Sequence, residues 1–157
     1  MASSAIILDA NLSILFAVGT TKRDYIAKHK RLAGYDARDF DILSEIIAGF
    51  DGMLFTPNVL TETSNLIRYV NEPIRSEIAA VLAVIIAGAD ERIIESRIAV
   101  RRREYTRLGL TDVVLLELSR CGATLLTIDL DLYLAALKAG LNAVNFNHIK
   151  RERADFQ

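Results

Sequence analysis

Cysteine occurs once in this chain, at Cys121, so no intrachain disulfide and no multi-cysteine metal site can form. That lone thiol fits a reducing compartment. Net charge is only −1 over 157 residues, so no global field draws in nucleic acid. No apolar run reaches the ~20 residues of a membrane span: "IAAVLAVIIAGA" at 78–89 is too short. The first residues, "MASSAIILDA", lack the basic start of a signal peptide, and Asp9 interrupts their apolar run. No repeat, linker or low-complexity stretch occurs, and no G-x-x-x-x-G-K-[ST] loop is there to grip a phosphate. These absences leave one soluble cytoplasmic domain over residues 1–157, with no membrane partner. The composition agrees: 52% apolar and 25% charged residues make a globular chain able to bury a core.

What is present is an alternation of short apolar runs and helical patterns. "AIILD", "GMLFT" at 52–56, "ATLLTID" and "NAVNF" read as strands, and Ile93–Ile94 as a further short one. A helix over 10–19 is expected to stop at Gly19, and another covers 36–50. Thr56-Pro57 supplies an N-cap and a first-position proline. An apolar helix follows at 74–88, either deeply buried or part of a homodimer interface. Thr111 is expected to cap the helix over "DVVLLELSR", and a last large helix covers roughly 131–139 up to Gly140. Residues 21–34 are basic and helical in part. Strands separated by helices imply crossovers and a parallel sheet covered on both faces, so the fold class is α/β with three α/β/α layers and a central, mainly parallel sheet.

Ligands of such sheets bind beyond the carboxyl ends of the strands. Asp9 and Asp129 each close an apolar strand there, Glu62 lies about one turn into the helix after the second strand, and Asp112 opens a later helix. Singly, each has a plain structural explanation: Asp9 as a cap, Asp112 and Asp131 as acids at helix starts, Glu62 as a surface glutamate. Together they are like charges on one edge, which raise one another's pKa values unless a cation offsets them. Oxygen-only ligands point to Mg²⁺ or Mn²⁺ rather than zinc, and such ions act on phosphates.

Four segments resemble the blocks of PIN domains, the fold of many small metal-dependent ribonucleases. "IILDANLSIL" carries Asp9 and Asn11, "TPNVLTETSNLI" carries Glu62, "LGLTDVVLLELSR" carries Asp112, and "LLTIDLDL" carries Thr127, Asp129 and Asp131. The resemblance covers about residues 5–147. It implies a PIN-like fold and an endoribonuclease that hydrolyses RNA phosphodiester bonds through a metal-activated water. Asp9, Glu62, Asp112 and Asp129 would be the main metal-binding acids, with Asp131 auxiliary. Asn11 and Thr127 would orient groups around them. A VapC-like toxin, neutralised by a cognate antitoxin, is one role this branch implies. The alternative is a PIN fold used as an RNA- or protein-binding module with little or no cleavage.

An acidic edge repels RNA and needs basic walls. Residues 97–107 hold five arginines, and Arg101, Arg102, Arg103 and Arg107 are the expected RNA contacts, since they lead into Asp112. Residues 22–31 hold five Lys or Arg, with contact and a solvated face equally open. Tyr25 and Tyr105 read as packing residues rather than base-stacking ones, His29 as part of the basic segment, His148 as structural or exposed, and Cys121 as a buried small hydrophobe. A dehalogenase-type phosphatase would want an acid where Asn11 stands, and a receiver domain an acidic pair that "IILDAN" lacks.

Overall fold

A computed structural model describes residues 4–155. Five strands form one parallel sheet: β1 (Ala5–Leu8), β2 (Gly52–Phe55), β3 (Asp90–Glu91), β4 (Thr124–Thr127) and β5 (Ala143–Asn145), in the order β3-β2-β1-β4-β5. β1 is central, with β2 on one side and β4 on the other. The chain therefore winds first one way and then the other from β1, and the gap between the carboxyl ends of β1 and β4 is the topological switch point.

Side chains of β1 alternate as a pleat requires. Ile6 and Leu8 enter one core with Leu126, and Ile7 enters the other with Leu125. The first core is closed by α1 (Ala10–Thr21), α2 (Ala37–Ala48), α4 (Ile74–Ala87) and the start of α9 (Phe146–Asp155). The second is closed by α3 (Pro57–Leu66), α7 (Leu110–Leu118) and α8 (Leu130–Lys138). Buried on both faces, the sheet sits between two helical layers, as the continuous apolar strands imply. A third, small cluster joins Ala99 of α5 (Ser96–Ala99) to Val113 and Val114 of α7, and Tyr105 of α6 (Tyr105–Leu108) packs against it. No helix among the described residues is long and apolar enough to cross a membrane.

Several local expectations need correction. The third strand is Asp90–Glu91, paired with β2, and Ile93–Ile94 lie just beyond it. α7 begins at Leu110 with Gly109 as N-cap, so Thr111 is inside the helix and caps nothing. α4 is not deeply buried: only Ile78 and Leu82 are buried, with Ile74, Ile85 and Ile86 partly covered against the core, and Val84 is 73% exposed. Cys121 is exposed. His29 is buried: one ring nitrogen lies 2.9 Å from the Ile67 carbonyl, and Nδ1 accepts from the Arg31 N–H at 3.1 Å. With Nδ1 accepting, the proton belongs on Nε2. This neutral ring fastens the basic segment to the end of α3, and burial holds its pKa below 6.5.

Gly19 does not stop α1, which runs to Thr21. A Cβ there would lie 2.2 Å from Cδ2 of Phe40 on α2, so the missing side chain is what lets the two helices close. Gly19→Ala should cost about 1–3 kcal/mol in urea unfolding through overpacking. A neutral or stabilising result would mean the ring swings aside and helix propensity decides the outcome, which alone favours Ala by about 1 kcal/mol.

Candidate active site at the carboxyl edge of the sheet

β1 ends at the switch point, and Asp9 is the next residue. Its N–H donates to the Leu126 carbonyl at 3.3 Å, extending the β1–β4 pairing by one step. Its carboxylate then does two things at once. Oδ1 accepts the Leu12 N–H at 2.9 Å and so caps α1. Oδ2 accepts the Thr127 hydroxyl at 2.6 Å and the Ile128 N–H at 2.9 Å, both from the end of β4. Asp9 is only 4% exposed. Burial raises its pKa, bonds from Thr127, Leu12 and Ile128 pull it back, and the nearby Asp129 pushes it up again.

Thr127 is the link between the two strand ends. While donating to Asp9, its hydroxyl accepts the Asp129 N–H at 3.0 Å. Asp129 in turn caps α8, its Oδ1 accepting the Leu132 N–H at 2.9 Å. The cap of α8 is thus Asp129 and not Asp131, which lies exposed within the first turn. The helix starts one residue earlier than expected, because the strand's last acid is itself the cap.

Asp112 faces the same place from the first turn of α7. Its pKa is pushed up to about 7, first by burial and then by the fields of Asp129, Asp9 and Glu62. The four expected acids therefore share one electrostatic neighbourhood. Glu62 projects exposed from the second turn of α3. Asn11 is exposed at the second position of α1. A residue not expected from the sequence is Tyr35: burial, with Asp9 and Asp39 nearby, raises its phenol to about 12. Only the folded chain brings Tyr35 near Asp9, and no local pattern in the sequence marks it.

No family model, curated protein or solved structure matches this chain. What the site can do rests on its own geometry.

No three His, Cys, Asp or Glu side chains among the described residues form a group that could hold a metal ion as they stand. A carboxylate offers about four lone-pair sites, and Asp9 already uses three of them on protein donors. One remains. The Asp129 carboxylate accepts the Leu132 N–H on one oxygen. The donor set is all oxygen and anionic, the chemistry that suits a hard divalent cation.

The arginine segment lies between α5 and α7. Arg101, Arg103 and Arg107 are exposed. Arg102 is held by Glu117 through two 2.7 Å bonds, which keep the Glu117 pKa low and clamp the segment onto α7. In the other basic segment, Arg23 pairs with Asp41 at 2.7 Å, and the Tyr25 hydroxyl donates to Glu77. His148 is exposed and meets the Tyr133 ring edge-on at 5.4 Å.

Because the folded protein holds a proton on Asp112 up to about pH 7 while the unfolded chain releases it near 3.8, metal-free stability falls as pH rises between those values. Asp112→Asn should remove that slope. In chelator, the variant should exceed wild type by roughly 1–2 kcal/mol at pH 8, after solvent screening of a partly exposed group, and match it near pH 3.5. Denaturant unfolding at the two pH values checks this. A variant less stable than wild type at pH 8 would mean that neither burial nor the neighbouring acids penalise the Asp112 charge.

Proposed function

We propose that the protein is a Mg²⁺- or Mn²⁺-dependent endoribonuclease that hydrolyses RNA phosphodiester bonds at the acidic edge, as the resemblance to PIN domains implies. The observation carrying this is the meeting of Asp9, Asp129, Asp112 and Glu62 at the switch point. There Thr127 locks the first two together, and Asp112 feels all three others. Four carboxylates packed for stability alone would be a poor arrangement, since like charges oppose folding. A site built for a cation accounts for it.

Asp9 would offer its one remaining lone-pair site, and Asp129 the oxygen not used for capping. Asp112 and Glu62 complete the set, the latter by rotation of an exposed side chain, with Asp131 one step further out. A divalent ion held there supplies Lewis acidity toward a phosphate oxygen and lowers the pKa of the attacking water. The chain's own part is orientation. Thr127 holds the Asp9 carboxylate and the Asp129 backbone N–H, and α1, α7 and α8 carry their acids to the same edge of the sheet. Arg101, Arg103 and Arg107 supply positive charge for neighbouring phosphates, while Arg102 acts through Glu117 as an anchor. A toxin role with a partner antitoxin belongs to the same reading, and so does a dimer through the exposed apolar residues of α4.

The absence of a closed metal group among the described residues favours a second reading, an RNA- or protein-binding module with little cleavage. RNA cleavage with and without Mg²⁺ or Mn²⁺ separates the two. Asp9→Asn takes an acceptor from Thr127 and Ile128 and risks misfolding, so Glu62→Gln and Asp112→Asn are the cleaner probes. Each should cut at least about 10²-fold more slowly than wild type, with Asp131→Asn losing less than about tenfold. Folded wild type that binds RNA but cuts none with either metal would establish the binding module instead.

A further inference from the structure

A cleft of ≈ 450 Å³ opens beside the acids, between the first two turns of α3, the first turn of α7 and the segment after β3. Asn58 and Thr61, Thr111, and Ile93, Ile94 and Glu95 line it. Its lining comes from the same helix turns that carry two of the acids: Thr61 precedes Glu62 on α3, and Thr111 precedes Asp112 on α7. Asn58 and Glu62 are four residues apart on one helix, which puts them on the same face with about 5–6 Å between Cβ atoms. Its size lies in the range of about 300–1,000 Å³ usual for small-molecule pockets.

The lining chemistry selects the occupant. Among the described residues that line the cleft there is no Lys, Arg or His, and Glu95 is the one charged group. That carboxylate is already paired with Arg97, at 2.5 Å, so the lining itself offers no free cation to a phosphate. The Asn58 amide offers both donors and an acceptor, and the Thr61 and Thr111 hydroxyls offer either. Ile93 is 78% exposed at the rim. It is not on a loose end, because its neighbours anchor it from both sides. The Arg92 N–H donates to the Phe55 carbonyl at 2.9 Å, and Ile94 packs into the small core with Ala99, Val113 and Val114. A held-out apolar side chain beside neutral amide and hydroxyl groups matches a ligand with a flat apolar face and a polar edge.

We propose that this cleft is a nucleobase subsite, in which Asn58, Thr61 and Thr111 bond the edge of one base and Ile93 covers its face. The inference rests on the RNA-hydrolase reading, which places the adjoining phosphodiester at the acids, and it makes these residues determinants of base preference at the cleavage point.

Free adenosine, guanosine, cytidine and uridine test it, because they carry no phosphate and need neither metal nor acids. Titrated into the methyl- and amide-labelled full chain, at least one should give saturable NMR shifts. These should fall at the Ile93, Ile94, Thr61 and Thr111 methyls and the Asn58 side-chain amide. Asn58→Ala should weaken that nucleoside about tenfold, the loss of one base-edge contact. Ile93→Ser, at an exposed position that does not endanger folding, should weaken all bound nucleosides alike. No saturable shift with any of the four, or shifts confined to other surfaces, would overturn the proposal. A chain that binds a nucleoside in the cleft but cuts no RNA would keep the subsite and remove the nuclease reading. A chain that cuts RNA yet shows no shifts would do the reverse.

Discussion

Asp9 is a carboxylate buried at the centre of the molecule, and the way it is satisfied organises the carboxyl edge of the sheet. An unpaired buried charge is expensive. Asp9 avoids that by accepting from Leu12, Thr127 and Ile128, and these three donors belong to α1 and to the end of β4. One side chain therefore sets the start of α1 against β1 and joins the two strands that flank the switch point. Thr127 carries the constraint one step on, since the hydroxyl that donates to Asp9 also accepts from Asp129. Capping and clustering are not rival accounts of these acids. Asp9 and Asp129 each cap a helix, and the Thr127 hydroxyl between them ties the two caps together.

The sheet order brings the elements that carry these acids to one edge. With β1 between β2 and β4, the segments leaving β1 and β4 emerge side by side, and α3 leaves β2 on the other flank. α7 packs on the same face as α3 and α8, which brings Asp112 in from above. The arrangement concentrates negative charge where the chain can least dilute it. Asp112 registers it: burial first, and then the fields of Asp129, Asp9 and Glu62, push its carboxyl up to about 7. Around this centre the surface divides into two parts. An arginine segment clamped through Arg102 and Glu117 offers positive charge, and the cleft over Asn58, Thr61 and Thr111, with Glu95 its one charged lining residue, offers none.

Much of this was legible in the sequence because it follows from local pattern. Continuous apolar runs ending in an acid located β1 and β4, and Thr56-Pro57 located the start of α3. The class of sheet followed from the alternation of strands with helices. What was not legible depends on contacts between distant residues. Gly19 looks like a helix stop, yet it is a point of close approach to Phe40 twenty-one positions on. His29 looks like part of a charged run until Ile67 and Arg31 bond both of its ring nitrogens. Asp129 and Asp131 are two residues apart, and pattern alone could not say which caps α8. The Thr127 hydroxyl decides it by accepting the Asp129 N–H and so closing the strand there. The cleft beside Glu62 combines residues from three separate segments and has no sequence signature.

The central proposal is that the acidic cluster, beyond the helix caps that Asp9 and Asp129 supply, holds a cation. Thermal unfolding of the full chain at pH 7.5, titrated with Mg²⁺ or Mn²⁺ against a Ca²⁺ and a high-salt control, tests it most directly. A ligand that binds only the folded state stabilises by about 2.7 kcal/mol at a hundredfold excess over its Kd. The account predicts a saturable rise in Tm for wild type that is absent in Glu62→Gln and Asp112→Asn. A wild type whose Tm responds to these ions no more than to salt, or variants that respond as wild type does, would contradict it.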